Sequence, residues 1–264
     1  MFSKLFKSKV PEAPAPATRS ASIPPGERIY AIGDIHGRAD LLDELLAKLD
    51  ADDEVRGPAE TTLIFLGDLI DRGPDSRGVV QRVMDVVQRH PRTRILLGNH
   101  EEVFLQALRG DSVGALRYLL RIGGDTTVQS YGVSGADYLR AGIDQLLEMV
   151  KSRVPAAHLD FISEFEDLII VGDYVFIHAG VRPDKPLDRQ KIQDLRWIRD
   201  GFLDYRGTLE KIVVHGHTIS DAVEELPHRI GLDTGAYASG VLTAMGFERG
   251  ERWLLQTGTV RAAA

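Results

Sequence analysis

The strongest constraint on this chain is an apolar run that stops abruptly on charge: Ile29-Tyr30-Ala31-Ile32-Gly33-Asp34-Ile35-His36-Gly37. Its first half, apolar and partly β-branched, reads as a buried strand. Gly33 breaks the strand, and Asp34 and His36 follow two residues apart, a spacing that points both side chains to one side of extended or turning backbone. Delivered from a rigid strand tip, an Asp and a His can grip one divalent ion. An isolated Asp-x-His is more commonly a solvated loop, so the reading depends on what later strand ends bring to the same point.

The pattern recurs along the chain. From Arg38, Leu41, Leu42, Leu45, Leu46 and Leu49 form one stripe of a helix, with Asp43, Glu44 and Lys48 on the other face, and Gly57-Pro58 ends it. Thr61 to Leu66 is a second buried strand, running out into Gly67-Asp68-Leu69-Ile70-Asp71-Arg72-Gly73-Pro74. A helix with Val79, Val80, Val83, Val86 and Val87 inward stops before Pro91, and a third strand, Arg94 to Leu97, runs into Gly98-Asn99-His100-Glu101. Strand–helix–strand–helix–strand with polar residues at every exit predicts an α/β fold with ligands beyond the carboxyl ends of the strands. Residues 102–166 break that rhythm. Leu139, Ile143, Leu146, Leu147 and Val150 have helical spacing and Pro155 marks a new start, which predicts a helical insertion at the rim of the site. Alternation resumes with a hairpin, Asp167–Val171 and Tyr174–Ile177 around Gly172-Asp173, ending in His178-Ala179-Gly180. Lys211 to Val214 then ends in His215-Gly216-His217-Thr218, and Gly240–Phe247 with Arg252–Gln256 reads as a closing hairpin.

Composition narrows the chemistry. With no cysteine, disulfides and thiolate sites are excluded, so any metal is held by His, Asp, Glu or Asn. A formal net charge of −7 argues against nucleic acid as partner. No apolar run approaches the roughly 20 residues that cross a bilayer. Residues 1–27 are different in kind: Phe, Leu and Lys alternate at the start and a Pro/Ala run follows, which predicts a disordered, mobile tether without stable membrane insertion. No apolar signal core follows the basic start, so the expected location is cytoplasmic. The expected catalytic domain is 28–264.

The strand ends together deliver Asp34, His36, Asp68, Asn99, His100, His178 and His217, all oxygen or imidazole donors and about what two divalent ions need. One carboxylate must bridge such a pair, and Asp68 fits that role. The segments Gly33-Asp34-Ile35-His36-Gly37, Gly67-Asp68-Leu69-Ile70-Asp71-Arg72-Gly73, Gly98-Asn99-His100-Glu101, His178-Ala179-Gly180 and Gly216-His217-Thr218 resemble the signatures of the phosphoprotein phosphatase family. That family is the metal-dependent serine/threonine phosphatase group within the calcineurin-like phosphoesterases, here in its compact bacterial and phage form. The resemblance implies a four-layer αββα sandwich of two mixed sheets. It implies that Asp34, His36 and Asp68 hold the first metal, and that Asp68, Asn99, His178 and His217 hold the second. Manganese is the expected ion, and Fe, Zn or Co are compatible with the donors.

The rest follows from charge. Two cations make water acidic enough to supply a nucleophile near neutral pH and neutralise the phosphate. Arg72 would clamp phosphate oxygens together with Asn99 and with Arg199, whose Trp197-Ile198-Arg199 is similar to a Trp-x-Arg element of the phage form. The alternative for Arg199 is an exposed helix residue among Asp194, Arg196 and Asp200, and Arg196 is expected to matter little. His100 is placed to protonate the leaving group, with Asp71 orienting it. Asp233-Thr234-Gly235-Ala236-Tyr237 resembles the final active-site loop, with Tyr237 toward the substrate, although turn chemistry explains its Gly and Asp equally well. Ile219 stands where a Gly-His-x-His phosphodiesterase carries a further ligand, and His215 has no assigned role. Retention of Asp71, which symmetrical dinucleoside tetraphosphatases tend to lose, favours phosphomonoesters. The expected activity is therefore a protein serine/threonine phosphatase. The alternative is a hydrolase of dinucleoside polyphosphates or other small phosphate compounds. A non-catalytic scaffold is disfavoured because every ligand is kept.

Overall fold

Residues 21–110 and 112–258 are described by a computed structural model, and their strands form two five-stranded mixed sheets. In chain order the strands are β1 (Glu27–Ile32), β2 (Glu60–Phe65), β3 (Arg94–Ile95), β4 (Ile169–Val171), β5 (Tyr174–Phe176), β6 (Ile212–His215), β7 (Glu224–Leu226), β8 (Arg229–Gly231), β9 (Thr243–Glu248) and β10 (Glu251–Gln256). The first sheet has the order β10-β9-β1-β2-β3 and the second β4-β5-β6-β8-β7. Strands β1, β2 and β3 are parallel, as are β5, β6 and β8, while the outer strands β9, β10, β4 and β7 run antiparallel to their neighbours.

The side chains of β1 show how the layers form. Tyr30 and Ile32 point to a core shared with helices α1 (Ala39–Arg56) and α2 (Ser76–Arg89), while Ile29 and Ala31 point to the second sheet. The inter-sheet core is completed by Ile64, Leu66, Phe176, Val214, Ile230 and Phe247. Beyond the second sheet, Val175, Ile177 and Val213 meet Leu195, Ile198 and Phe202 in a third core. A strand buried on both faces reads as a continuous apolar run, which is why these segments show no polar alternation. The four-layer arrangement is the one expected. Helix α1 buries Leu41, Leu42, Leu45 and Leu49 and stops at Gly57, whose φ of 81° only glycine adopts freely. Helix α2 is capped by Asp75, which accepts from Gly78 N at 2.8 Å, and buries Val79, Val80, Val83 and Val86.

Between the two sheets the chain is helical: α3 (Asn99–Leu108), α4 (Val113–Leu119), α5 (Asp125–Ser130), α6 (Gly135–Arg140), α7 (Ile143–Arg153) and α8 (Ala156–Ser163). The first of these begins three residues before the expected insertion, so Asn99 and His100 sit on the first turn of a helix. Strand β3 is shorter than predicted because Leu96 and Leu97 pair with Glu166 at the end of the insertion. The β7–β8 hairpin was not foreseen: its residues are charged and show no period of two. Two short helices, α9 (Ile192–Trp197) and α10 (Ala236–Ser239), complete the fold. No helix among the described residues is long and apolar enough to cross a membrane.

The expected tail boundary at residue 27 falls too late. The Lys/Phe start and the Pro/Ala run lie outside the described residues, but residues 21–24 are wholly or partly buried. Ile23 is 3% exposed in the inter-sheet core and its N–H donates to Arg249 O at 2.9 Å. Ser22 N donates to Asp173 Oδ2, and Asp173 N donates back to Ser22 O, both at 2.9 Å. Ile23→Ala should therefore destabilise the fold by about 2–5 kcal/mol, the usual cost of a buried Ile truncation. Denaturant unfolding measures this, and a change below 1 kcal/mol, roughly the surface range, would contradict the packing.

Candidate metal centre

All six parallel strands run toward the same place, and their exits carry the donors. Asp34 and His36 follow β1, Asp68 follows β2, Asn99 and His100 follow β3, His178 follows β5, His217 follows β6 and Asp233 follows β8. All are at most 5% exposed. The loops are tied to one another: Ile35 N and His36 N both donate to Asp68 O, Gly37 N donates to Leu69 O, and Gly216 N donates to His178 O. Close approach requires small residues here. A Cβ on Gly216 would lie 1.9 Å from Asp34 Oδ1. His36, Asp68, Asp71, Arg72 and His217 all have positive φ, between 46° and 72°, a region that costs a non-glycine residue about 1–3 kcal/mol.

Asp68 lies at the middle with its two oxygens facing opposite ways. Oδ1 is 3.4 Å from His178 Nε2, while Oδ2 is 3.6 Å from His36 Nε2 and 3.8 Å from His100 Nε2. Among the described residues, the candidate donor atoms converge within 4.8 Å in two trios that share this carboxylate: His36, Asp68, His100 and Asp68, His178, His217. Asn99 Oδ1 lies 3.0 Å from His178 Nε2, so it faces the same point. His36 Nδ1 is 2.7 Å from Ile70 O and His178 Nδ1 is 2.7 Å from Leu66 O. A carbonyl only accepts, so both Nδ1 atoms carry the proton and both Nε2 lone pairs face the centre, as a metal ligand requires.

Three buried polar atoms here have no protein partner: Asp34 Oδ1, His217 Nε2 and Asp233 Oδ2. Burial, then the charges of Asp233 and Asp68, hold Asp34 well above the usual carboxylate range, and burial pushes Asp233 up to about 6. Asp68 is held below that range, because His178, His100 and His36 outweigh the burial that opposes its charge. Burial also lowers His36 to about 3 and His217 to about 2, and lowers His178. Clustered acids, neutral imidazoles and orphaned donor atoms fit divalent cations and leave no thiolate role.

The second tier of contacts is as specific. His100 Nδ1 donates to Asp71 Oδ2 at 2.7 Å. Burial opposes the imidazolium, but Asp68 and Asp71 beside it raise His100 above its ordinary value. Glu101 Oε1 and Oε2 accept from the N–H groups of Asp68, Leu69, Ile70 and Gly98 at 2.8–3.2 Å.

Each predicted site residue reaches the centre or its rim. Asp34 lies against the second trio, accepting His217 N at Oδ2 (2.9 Å), and His100 stands in the first trio where Asp34 was expected. Arg72 points inward, with its NH1 2.8 Å from His36 Nε2 and its NH2 3.1 Å from His100 Nε2. An imidazole nitrogen has one lone pair, so this contact and a metal bond at His36 exclude each other. Tyr237 stands edge-on to His36, ring centroids 5.6 Å apart, with the Arg72 guanidinium 5.1 Å from its own centroid. Arg199 donates to His217 O at 3.1 Å from the exposed side. Arg196, expected to matter little, is a correction: its side chain is only 14% exposed and bridges Asp167 (2.6 Å) and Glu102 (3.0 Å), tying α9 to α3 through side chains. His215 is buried against Phe202 and Arg229, outside both trios. Glu101 and Asp233 lie within the motifs, and their roles come from the structure. A Gly-x-x-Glu at a strand-to-helix junction is half of a capping box and could have flagged Glu101.

This chain matches the calcineurin-like phosphoesterases over residues 27–255 and belongs to that family. It is 28% identical over 238 residues to the asymmetrical bis(5'-nucleosyl)-tetraphosphatase PrpE of Anoxybacillus flavithermus, covering 81% of this chain and 88% of that protein. It is 28% identical over 185 residues to a symmetrical bis(5'-nucleosyl)-tetraphosphatase of an Acidovorax species, spanning 70% of this chain and 51% of that longer protein. A crystal structure of a protein provisionally described as a diadenosine tetraphosphatase superposes with a TM-score of 0.61 at 24% identity, over 89% of this chain and 98% of that one. The family so shown is broader than the phosphoprotein phosphatase group, and these relatives are named for dinucleoside tetraphosphates.

Two outcomes are expected. Asp68→Asn should weaken both ions together by about tenfold or more, because it removes charge from both trios; metal content by mass spectrometry that falls at one position alone would contradict a shared carboxylate. In metal-free protein the His36 and His217 rings should stay neutral from pH 8 to pH 5. Their lowered folded values make the native state lose stability as pH falls below about 6.5 toward 3. Ring-proton NMR showing either titrating near 6.5 would overturn this.

Proposed function

We propose that this chain is a dinuclear, metal-dependent phosphohydrolase acting on dinucleoside polyphosphates or related small phosphate compounds. The observation that carries it is the Asp68 carboxylate, with Oδ2 toward His36 on one side and Oδ1 toward His178 on the other. Asp34, His36 and Asp68 would hold one ion, and Asp68, Asn99, His178 and His217 the other; Mn, Fe, Zn or Co suit these donors. When bound, two such ions supply a nucleophile from water near neutral pH and offset phosphate charge. The substrate class comes from the named relatives.

The chain's own residues do the rest. Arg72 and Arg199 approach from opposite trios and offer guanidinium forks to phosphate oxygens. Asn99, on the first turn of α3, adds an amide beside His178. His100, held at Nδ1 by Asp71, presents Nε2 to the centre as proton donor to the leaving group. A groove of about 620 Å³, lined by Pro74, Tyr237 and the Arg38–Asp40 and Arg82–Asp43 ion pairs, opens on the Tyr237 ring that Arg72 faces and has room for the part of a substrate that carries no reacting phosphate.

One observation favours the second reading, a phosphoprotein phosphatase acting on serine or threonine phosphates. The His100–Asp71 pair at 2.7 Å is a positioned acid. A departing alkoxide needs a proton in the transition state, whereas the phosphate leaving an anhydride is a far weaker base. Turnover of diadenosine tetraphosphate beside a phosphopeptide panel, with Mn²⁺, Co²⁺ and Zn²⁺, separates the two. The expected result is activity on the dinucleotide, abolished by chelation and restored by Mn²⁺. Turnover of phosphopeptides alone would replace this reading with the second, and full activity of metal-stripped protein would overturn both.

A further inference from the structure

Part of the helical insertion reaches the β2 exit loop that carries Asp71, the partner of the proton donor His100. Between α4 and α5 the chain makes a wide turn, Leu120–Gly124, kinked at Gly123 with a φ of 109°. Gly123 O accepts the Arg72 N–H at 2.8 Å, and a Cβ on Gly123 would lie 2.7 Å from Arg72 Cγ. One turn later, the fully buried Thr127 donates its hydroxyl to Asp71 Oδ1 at 2.5 Å. Asp71 N in turn donates toward Thr127 Oγ1 and Ser76 Oγ, both at 2.9 Å, and the two hydroxyl oxygens are 2.7 Å apart.

With Asp71 ionised and paired to His100, counting protons leaves one arrangement. The single Thr127 proton is committed to Asp71, so Ser76 must donate to Thr127. Asp71 Oδ1 is then fixed by Thr127 and Oδ2 by His100 Nδ1 at 2.7 Å. With both oxygens engaged the carboxylate cannot rotate, and the imidazole plane follows it. Without Thr127, Oδ1 would be a buried carboxylate oxygen lacking a donor.

We infer that Thr127, supported by Ser76, is a positioning residue for proton transfer. Through it the helical insertion sets the angle at which His100 meets the leaving group. The inference rests on the reading of His100 as proton donor.

The test uses metal-loaded full-length protein and two aryl phosphates, phenyl phosphate with a poor leaving group and p-nitrophenyl phosphate with an activated one. A general acid contributes typically about 10²–10⁴-fold. His100→Asn should accordingly lower kcat on phenyl phosphate far more than on p-nitrophenyl phosphate. Thr127→Val should give a smaller split in the same direction, roughly tenfold on phenyl phosphate and under about threefold on the activated ester. Thr127→Ser should restore the wild-type ratio, and metal content should not change. In metal-free protein the His100 Nδ1 proton should give a low-field NMR signal that broadens in Thr127→Val and returns in Thr127→Ser. Equal losses on both esters in Thr127→Val, while His100→Asn splits them, would overturn the inference alone. No split in His100→Asn would overturn the proton-donor reading and the inference with it. Should Thr127→Val fail to fold, Ser76→Ala takes its place, with a split of a few-fold expected and its absence decisive against.

Discussion

One buried carboxylate holds the centre in register. Glu101, the third residue of α3, accepts the N–H groups of three successive residues at the β2 exit, Asp68, Leu69 and Ile70, and that of Gly98 at its own helix start. Burial and the adjacent Asp68 charge push its acid up to about 8, while the four donors favour the ionised form. Without it, buried backbone donors would lack partners, each at a cost of about 1–3 kcal/mol. The consequence is geometric. Because one side chain grips both loops, Asn99 and His100 are set beside Asp68, and His100 N reaches Asp68 Oδ1 at 3.2 Å.

The left-handed backbone at the site follows from that grip. Of the six non-glycine residues with positive φ among those described, only Arg249, in the last hairpin turn, lies away from the centre. Such conformations persist where surrounding contacts over-determine them. Here His36 N and Asp68 O, Arg72 N and Gly123 O, and Asp71 N with two hydroxyls supply those contacts. Two sheets buried on both faces form the rigid base from which the strained loops project.

The halves of the site come from different layers and are tied across them. Glu102 accepts from Trp197 Nε1 at 2.5 Å and from Arg196, so α3, which carries Asn99 and His100, is fixed to the segment leading to Arg199. Thr127 and Gly123 tie the insertion to Asp71 and Arg72. A segment that reads as a rim is therefore part of the wall around the proton donor.

The sequence alone determined eight of the ten strands described, the two helices flanking the first sheet and the His, Asp and Asn side chains that converge at the strand exits. Each of those signals is local: an apolar run of five or six residues, a leucine or valine stripe, a Gly-Asp or Gly-His at the exit. It could not determine that Ile23 belongs to the inter-sheet core, since a single Ile beyond a Pro/Ala run carries no period. The β7–β8 hairpin escaped for the same reason. The roles of Glu101, Thr127, Ser76 and Arg196 were decided only by tertiary structure, because a buried Thr hydroxyl or Arg guanidinium acquires meaning from the partner it meets 33 to 94 residues away. Donor identity is written in residue type, but the angle at which a donor is held depends on contacts between segments that no local pattern records.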